Sequence, residues 1–427
     1  MVAGSFSRRG LLRLGALAPL AALAACDGGD AGDASRTTAW WCWPGGFSEN
    51  VITDAVTAFA DRTALTTSIL TGDYLDQLLP VLAAGNGVPA IAGVKGEDIA
   101  AVLPRAAQFV DLNELGAHDV AGEFLSWKMR QGSTIDGHQV GLPIDIGPTA
   151  MFYRTDLFAE AGLPAEPDAV SRAMPTWKAY FDAGETLRAA LPKVRLVRNA
   201  AEVFSTAVGQ SEQRFVDESN HFVGDGDHVR LAWDLAVELV DRDLSAAIPT
   251  DDEDGWKAAM AAGRLATELG AAWRSADVEL AVPDQAGKWR VAEGPAGGAS
   301  TGGSFLTIPA AGSGHELSFE IIRWLLTPEN QARNFTDAAL FPAAPAAYQL
   351  PALTGADPFF GGQVTVGVFA GSAKKAPRAY EAPSDTALAE IFLQQLGEVD
   401  AGATSSGRGW SEAVEAARNL ATQQGVN

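Results

Sequence analysis

Cysteine and histidine are scarce. The 427 residues include two Cys and five His, with no HExxH, CxxC or His-rich tract. Neither a disulfide framework nor a zinc site therefore organises the chain. Cations are also few: 31 Lys and Arg stand against 53 Asp and Glu, a net charge of −22. Binding a phosphate backbone needs clustered Lys and Arg, so no nucleic-acid partner is expected. Long apolar runs are missing. The run Leu14 to Ala25 has twelve residues, against roughly 18 to 20 needed to span a bilayer. No GxSxG elbow, Walker A loop or dinucleotide GxGxxG after a strand is present, so those enzyme chemistries lack their motifs. What is present is a globular composition. Hydrophobic residues make up 47% and charged residues 20%, which excludes wholesale disorder. At about 150 residues per domain, the length corresponds to two or three domains. Such a chain buries a large core without staples.

The first 25 residues read as an export address. Arg8, Arg9 and Arg13 precede the apolar run, and small residues end it. Ser7-Arg8-Arg9-Gly10-Leu11-Leu12-Arg13 resembles a twin-arginine signal, although Leu-Leu-Arg replaces the usual ending, so Sec export stays open. Leu23-Ala24-Ala25-Cys26 resembles a bacterial lipobox, in which Cys26 becomes the lipidated first residue. The alternative is a cleaved signal with an incidental cysteine. Lipidation of Cys26 leaves Cys42 without a disulfide partner, which fits export of an already folded chain. Residues 26–36 (CDGGDAGDASR) are polar and Gly-rich and read as a flexible tether.

Strand and helix signals then alternate. Thr37 to Trp43, Ala64 to Leu70 and Val88 to Val94 read as strands, separated by helices from Ser48 and from Asp73. This order predicts a parallel sheet, with a ligand outside the carboxyl ends of its strands. Val140 to Tyr153 is apolar and extended, interrupted by Pro143 and Pro148, and suits a strand passing from one lobe into another. Amphipathic helices follow at Trp177 to Leu191, His228 to Arg242, Leu317 to Leu326, Ser384 to Leu396 and Trp410 to Gln423. The Gly-rich stretch before Phe305 to Ile308 reads as a loop feeding a strand. Asp251 to Asp254 reads as a solvated loop; it lacks the alternating spacing of a calcium loop. The fold class is α/β with two lobes.

The stretch from Asp136 to Phe158 (DGHQVGLPIDIGPTAMFYRTDLF) carries a resemblance. It is similar to the crossing segment of extracellular solute-binding proteins of ABC importers, in the carbohydrate-binding branch that includes maltose-binding protein (family 1). Weaker echoes follow in order: Gly72-Asp73-Tyr74, Pro175-Thr176-Trp177, Gly270-Ala271-Ala272-Trp273, Thr301-Gly302-Gly303-Ser304, and Phe319 to Gln331. Ala266-Thr267-Glu268 departs from the family's Ala-Met, and the last 80 residues match loosely. The resemblance implies a type II periplasmic-binding-protein-like fold, in which hinge-connected lobes flank a ligand cleft. Lobe one is expected from 37–144 plus about 276–335, and lobe two from about 145–275 plus 336–427. It further implies a monomer and no enzyme. The chain would capture a sugar or oligosaccharide at the outer face of the cytoplasmic membrane, held there by its lipid anchor. The captured sugar would pass to the permease subunits of an ABC transporter, and no cofactor or metal is needed.

A neutral sugar offers apolar C–H faces and hydroxyl edges, so its site needs aromatic planes and hydrogen-bond acceptors. Trp41 and Trp43 share one face at the end of the first strand, and Trp273 stands where the resemblance places a stacking indole. Tyr74, Glu97 and Asp145 lie in or beside loops that end strands. Gly302, Gly303 and Ser304 would let backbone N–H groups approach a ligand. These nine residues are the candidate site, whereas Trp177, Trp233 and Trp324 sit on amphipathic helices as core. Two rivals remain. Indoles with carboxylates also cage a cation such as a polyamine or quaternary amine. A secreted glycoside-active enzyme needs only a carboxylate pair, which 53 acids always supply somewhere.

Overall fold

The computed structural model describes residues 37–377 and 379–427; the export segment, Cys26 and the tether lie outside the described residues. Among the described residues ten strands carry the architecture. They are β1 (Thr37–Cys42), β2 (Ala64–Ile69), β3 (Ile91–Val94), β4 (Gly141–Pro143), β5 (Asp145–Ile146), β6 (Thr149–Arg154), β7 (Thr267–Ala271), β8 (Trp289–Ala292), β9 (Phe305–Thr307) and β10 (Phe341–Pro342).

Alternation sets β1: Trp40 and Cys42 are fully buried on one face, while Trp41 lies half-buried on the other. Side-chain caps set the helices that follow. Ser48 Oγ accepts from the Val51 N–H and opens Glu49–Ala58. Asp73 accepts from the Asp76 N–H and opens Tyr74–Ala84, which ends on Gly85 at φ +65°. Parallel pairing holds for β1 with β2 and β3. The expected all-parallel order stops there. β9 inserts antiparallel between β3 and β4, giving the order β2-β1-β3-β9-β4. The third strand starts at Ile91 and not at Val88, in keeping with Pro89, which has no N–H to donate.

A second, antiparallel sheet has the order β7-β6-β8. All six residues of its central β6 are buried, as expected of a strand covered on both faces. Helices Trp177–Ala190, Ala200–Gly209, Asp227–Asp241, Asp385–Asp400 and Ser406–Gln423 surround it. Their inward residues, including Phe204, Trp233 and Phe392, form one core with Met151 and Tyr153. Trp177 and Trp233 are core residues, and Trp324 packs edge-on against Phe59. Two expectations change here. Asp251–Asp254 is exposed as expected but only half of it is loop: Asp252 accepts from the Gly255 N–H and caps the helix Glu253–Ala261. Residues 276–335, expected together in lobe one, are divided, because β8 hydrogen-bonds to β6 whereas β9 joins β3 and β4.

Three extended segments pass between the two sheets. The first joins β4 through β5 to β6. The second returns from β8 to β9 beside it, with Thr149 N–H on Ala299 O (2.9 Å), Thr301 N–H on Gly147 O (2.9 Å) and Ile144 N–H on Ser304 O (2.7 Å). The third is β10, paired antiparallel with β5. A buried apolar cluster spans the same region, from Trp40 and Ile91 through Ile144 and Ile146 to Phe152 and Trp289.

The helix cap at Ser48 also joins distant segments. Its hydroxyl donates to Asp337 Oδ2 at 2.5 Å, and its N–H to Asn334 Oδ1 at 3.1 Å. Ser48→Ala is expected to lower the unfolding free energy by about 1–2 kcal/mol. Equilibrium denaturation measures this, and an unchanged midpoint would contradict it.

Candidate functional site

The site builds up from glycines that admit large neighbours. A Cβ on Gly93 would lie 2.7 Å from Trp43 Cζ3, and one on Gly46 2.7 Å from Trp43 Cε2. The Trp43 indole is thus seated on bare backbone. Tyr74 meets it edge-on at 5.4 Å, and Lys95 Nζ lies 5.9 Å from its ring centre. The Tyr74 hydroxyl donates to Trp41 O at 3.1 Å. Tyr74 is only 1% exposed, so it props the indoles from behind. Trp41 and Trp43 keep part of their surface open.

The loop after β3 reaches the second crossing segment. Gly96 packs directly against Gly302 and Gly303. Glu97 stands exposed, 3.8 Å from Lys95 Nζ. The neighbouring Asp98 is half-buried, and burial with the Glu97 charge pushes its carboxyl up to about 6.

At the crossing, Asp145 is 2% exposed and accepts from the Ser304 N–H at 2.7 Å. Burial raises its carboxyl, against the pull of the Lys128 ammonium. Lys128 is fully buried. Its Nζ donates to Gly302 O (3.0 Å), Gly303 O (2.9 Å) and Gln131 Oε1 (2.7 Å), and sits 4.3 Å from the Phe305 ring centre. Gly302 and Gly303 have φ of +68° and +82°, which lets two successive carbonyls serve the same ammonium. A Cβ on Gly303 would lie 2.5 Å from Asp145 O. Trp273 closes the other side. Its ring end would lie 2.5 Å from a Cβ on Gly147 and 3.2 Å from one on Gly302, and the side chain is half-buried.

The candidate residues therefore form one connected patch. Trp43, backed by Tyr74, joins it through Gly93 and the neighbouring Gly96, Trp273 joins it through Gly147 and Gly302, and Trp41 is tied in through its carbonyl, which accepts from Tyr74. Gly302, Gly303 and Ser304 link these contacts, with Asp145 beneath and Glu97 at the rim. Lys128, Gln131 and Gly147 were missed by sequence reasoning. Lys128 sits in Ser126–Gln131, a helix too short to show a periodic stripe, and its partners are 174 and 175 residues away. Among the described residues no group of three or more His, Cys, Asp or Glu is placed to hold a metal. Two surface cavities lie away from the patch. One, of about 380 Å³, is lined by Phe124, Glu320 and Trp324; the other, of about 580 Å³, is lined by Lys193, Arg195 and Arg264.

The chain matches the family model for bacterial extracellular solute-binding proteins over residues 54–360. It belongs to that family. The lactose-binding protein of Rhizobium radiobacter is 23% identical over 347 residues, covering 76% of this chain and 78% of the relative. A solved extracellular solute-binding protein of family 1 superposes with a TM-score of 0.82 at 28% identity, over 90% of this chain and 100% of the other. The galacto-N-biose-/lacto-N-biose I-binding protein of a Bifidobacterium longum ABC transporter, solved with lacto-N-biose, superposes at 0.77 with 18% identity, over 93% and 100%. The two-lobe α/β fold and the family resemblance read from the sequence are both borne out.

Two outcomes follow from the crossing. Gly303→Ala is expected to cost more than about 1 kcal/mol, because alanine resists this φ and its methyl meets Asp145 O; thermal unfolding reads this. Burial lowers the Lys128 ammonium from 10.5 to about 8. Between those pH values the unfolded chain holds more protons than the folded one, so this group's contribution to stability grows as pH rises and fades as pH falls through 8. The stability difference between wild type and Lys128→Met should shift in favour of wild type from pH 8 to 10.5, as measured by denaturation at each pH.

Proposed function

We propose that the protein is a receptor for an uncharged sugar, of disaccharide size or larger, that serves an ABC importer. The observation that carries this reading is the patch itself. Two half-buried indoles, Trp43 and Trp273, with exposed Glu97 and the Gly302–Ser304 backbone, gather where the crossing segments meet, and half-buried Trp41 stands beside Trp43 on the same strand face. Flat indole faces suit the C–H faces of a sugar, and carboxylate and backbone groups suit its hydroxyls. The names of its relatives support a sugar over a cation: lactose-binding and arabinooligosaccharide-binding proteins match in sequence. No bond is broken, and no cofactor takes part. Family membership and the missing hydrolase motifs support a receptor over an enzyme.

In this reading the lobes are rigid bodies. Lobe one holds the five-stranded sheet, and lobe two the three-stranded sheet with the C-terminal helices. The return to lobe one begins after β8. Ligand contacts on both lobes favour the joined form, which the permease then recognises. Cys26 anchors a monomer, through its lipid and tether, to the outer face of the membrane.

Lactose at 100 times its dissociation constant should stabilise the exported chain by about 2.7 kcal/mol. A thermal-shift panel of sugars and polyamines reads this; a response to polyamines alone, weakening with salt, would replace the sugar by a cation. An oligosaccharide should be recovered intact after incubation, and turnover would make the chain an enzyme. Trp273→Ala should weaken sugar binding about 10-fold or more while the chain stays folded. Equal affinity by calorimetry would remove Trp273 from the site. Cys26→Ser should abolish fatty-acid labelling and release the chain from membranes; retained labelling would refute the anchor.

A further inference from the structure

We propose that Gln131 and Glu381 form a latch between the two bodies, at the buried support of the ligand patch, which sets ligand affinity without touching the ligand. The pair deepens the receptor reading and names positioning residues for it. The two residues belong to different bodies. Gln131 ends the helix Ser126–Gln131, which packs against β4 of the five-stranded sheet. Glu381 adjoins Ala382, a member of the core around the three-stranded sheet. It leads into Asp385–Asp400, which packs on Ala200–Gly209 and Asp227–Asp241. Gln131 Nε2 donates to Glu381 Oε2 at 2.5 Å, across 250 residues of sequence. The contact lies outside the crossing segments. Backbone crossings survive a change of angle by bending, whereas a side-chain bond between bodies survives only at this separation.

The latch is wired to the site. Gln131 Oε1 accepts from the Lys128 ammonium at 2.7 Å, and that ammonium holds the Gly302 and Gly303 carbonyls. The amide therefore has a fixed sense. Its oxygen faces a cation and its N–H faces an anion, so a flip would lose both charge-assisted bonds. Glu381 is only partly buried, so its carboxylate rehydrates easily once released. Arg214 and Asp385 face it from its own body, and Lys128 from the other. Separation of the bodies leaves Gln131 on Lys128 and frees Glu381. The bond thus biases the chain toward the arrangement in which the patch is connected. A ligand that selects this arrangement gains affinity by the same factor.

An exchange of donor and acceptor tests the latch on the exported full-length chain. Q131E sets two carboxylates face to face. It should raise the lactose dissociation constant about tenfold, through faster release, and enlarge the radius of gyration of the sugar-free chain. E381Q should weaken binding only about threefold. The double variant Q131E/E381Q changes only which side carries the charge, and should return to within about threefold of wild type in both measurements. A double variant no better than Q131E alone would overturn the latch, as would an unchanged radius in Q131E. The radius series needs no ligand. If no sugar binds any of the chains, the sugar reading fails while the scattering series still decides the latch.

Discussion

The junction between the sheets depends on one buried ammonium. Burying a charge is costly unless its partners are good. Lys128 offsets part of that cost with two main-chain carbonyls, an amide oxygen, a ring face and the nearby Asp145, and the remainder shows in its lowered ammonium. Those carbonyls belong to the second crossing segment, and Asp145 to the first. The ammonium therefore ties two passing chains to a helix of the five-stranded sheet. Only left-handed glycines let consecutive carbonyls reach it, and only a residue without a Cβ fits over the Asp145 backbone.

Close approach of backbone is the wider theme. Gly46, Gly93, Gly96, Gly147 and Gly303 each lie where a methyl group would collide with an indole or with main chain. The result is a patch whose walls are set by hard packing. Trp43 cannot tilt into Gly93, and Trp273 cannot sink past Gly147. Flat surfaces held this way lose little freedom when a flat-faced ligand arrives, which favours binding through preorganisation.

Three crossing segments, paired by main-chain bonds, let the two sheets behave as bodies that share a seam. Main-chain ladders resist shear but permit bending, so a change of angle between the bodies would be taken up there. Membership of the solute-binding family gives such motion a purpose, since capture and release need two states of different affinity.

Much of this was legible in the residues. Strand alternation around Trp40, helix starts at Ser48 and Asp73, and the proline-broken strand through Leu142 and Ile146 are local patterns, and local sterics enforce them. The Gly302–Gly303 turn was legible for the same reason, since paired glycines signal it within a few residues. β8 was missed because four residues carry too little alternation to stand out. The antiparallel place of β9 was missed because partner choice is a long-range matter. Asp251–Asp254 misled because helix capping and solvated loops use the same acids. Asp145 and Tyr74 were expected to face a ligand, and their burial was not legible because it comes from distant segments. By itself, then, the order of residues determined which segments extend, which coil, and which flat or acidic groups lie near strand ends. Only the folded chain decided that Lys128 would sit beneath Gly302, and Gln131 opposite Glu381. Those contacts join residues more than a hundred positions apart, where no local periodicity carries information and packing alone selects the partner.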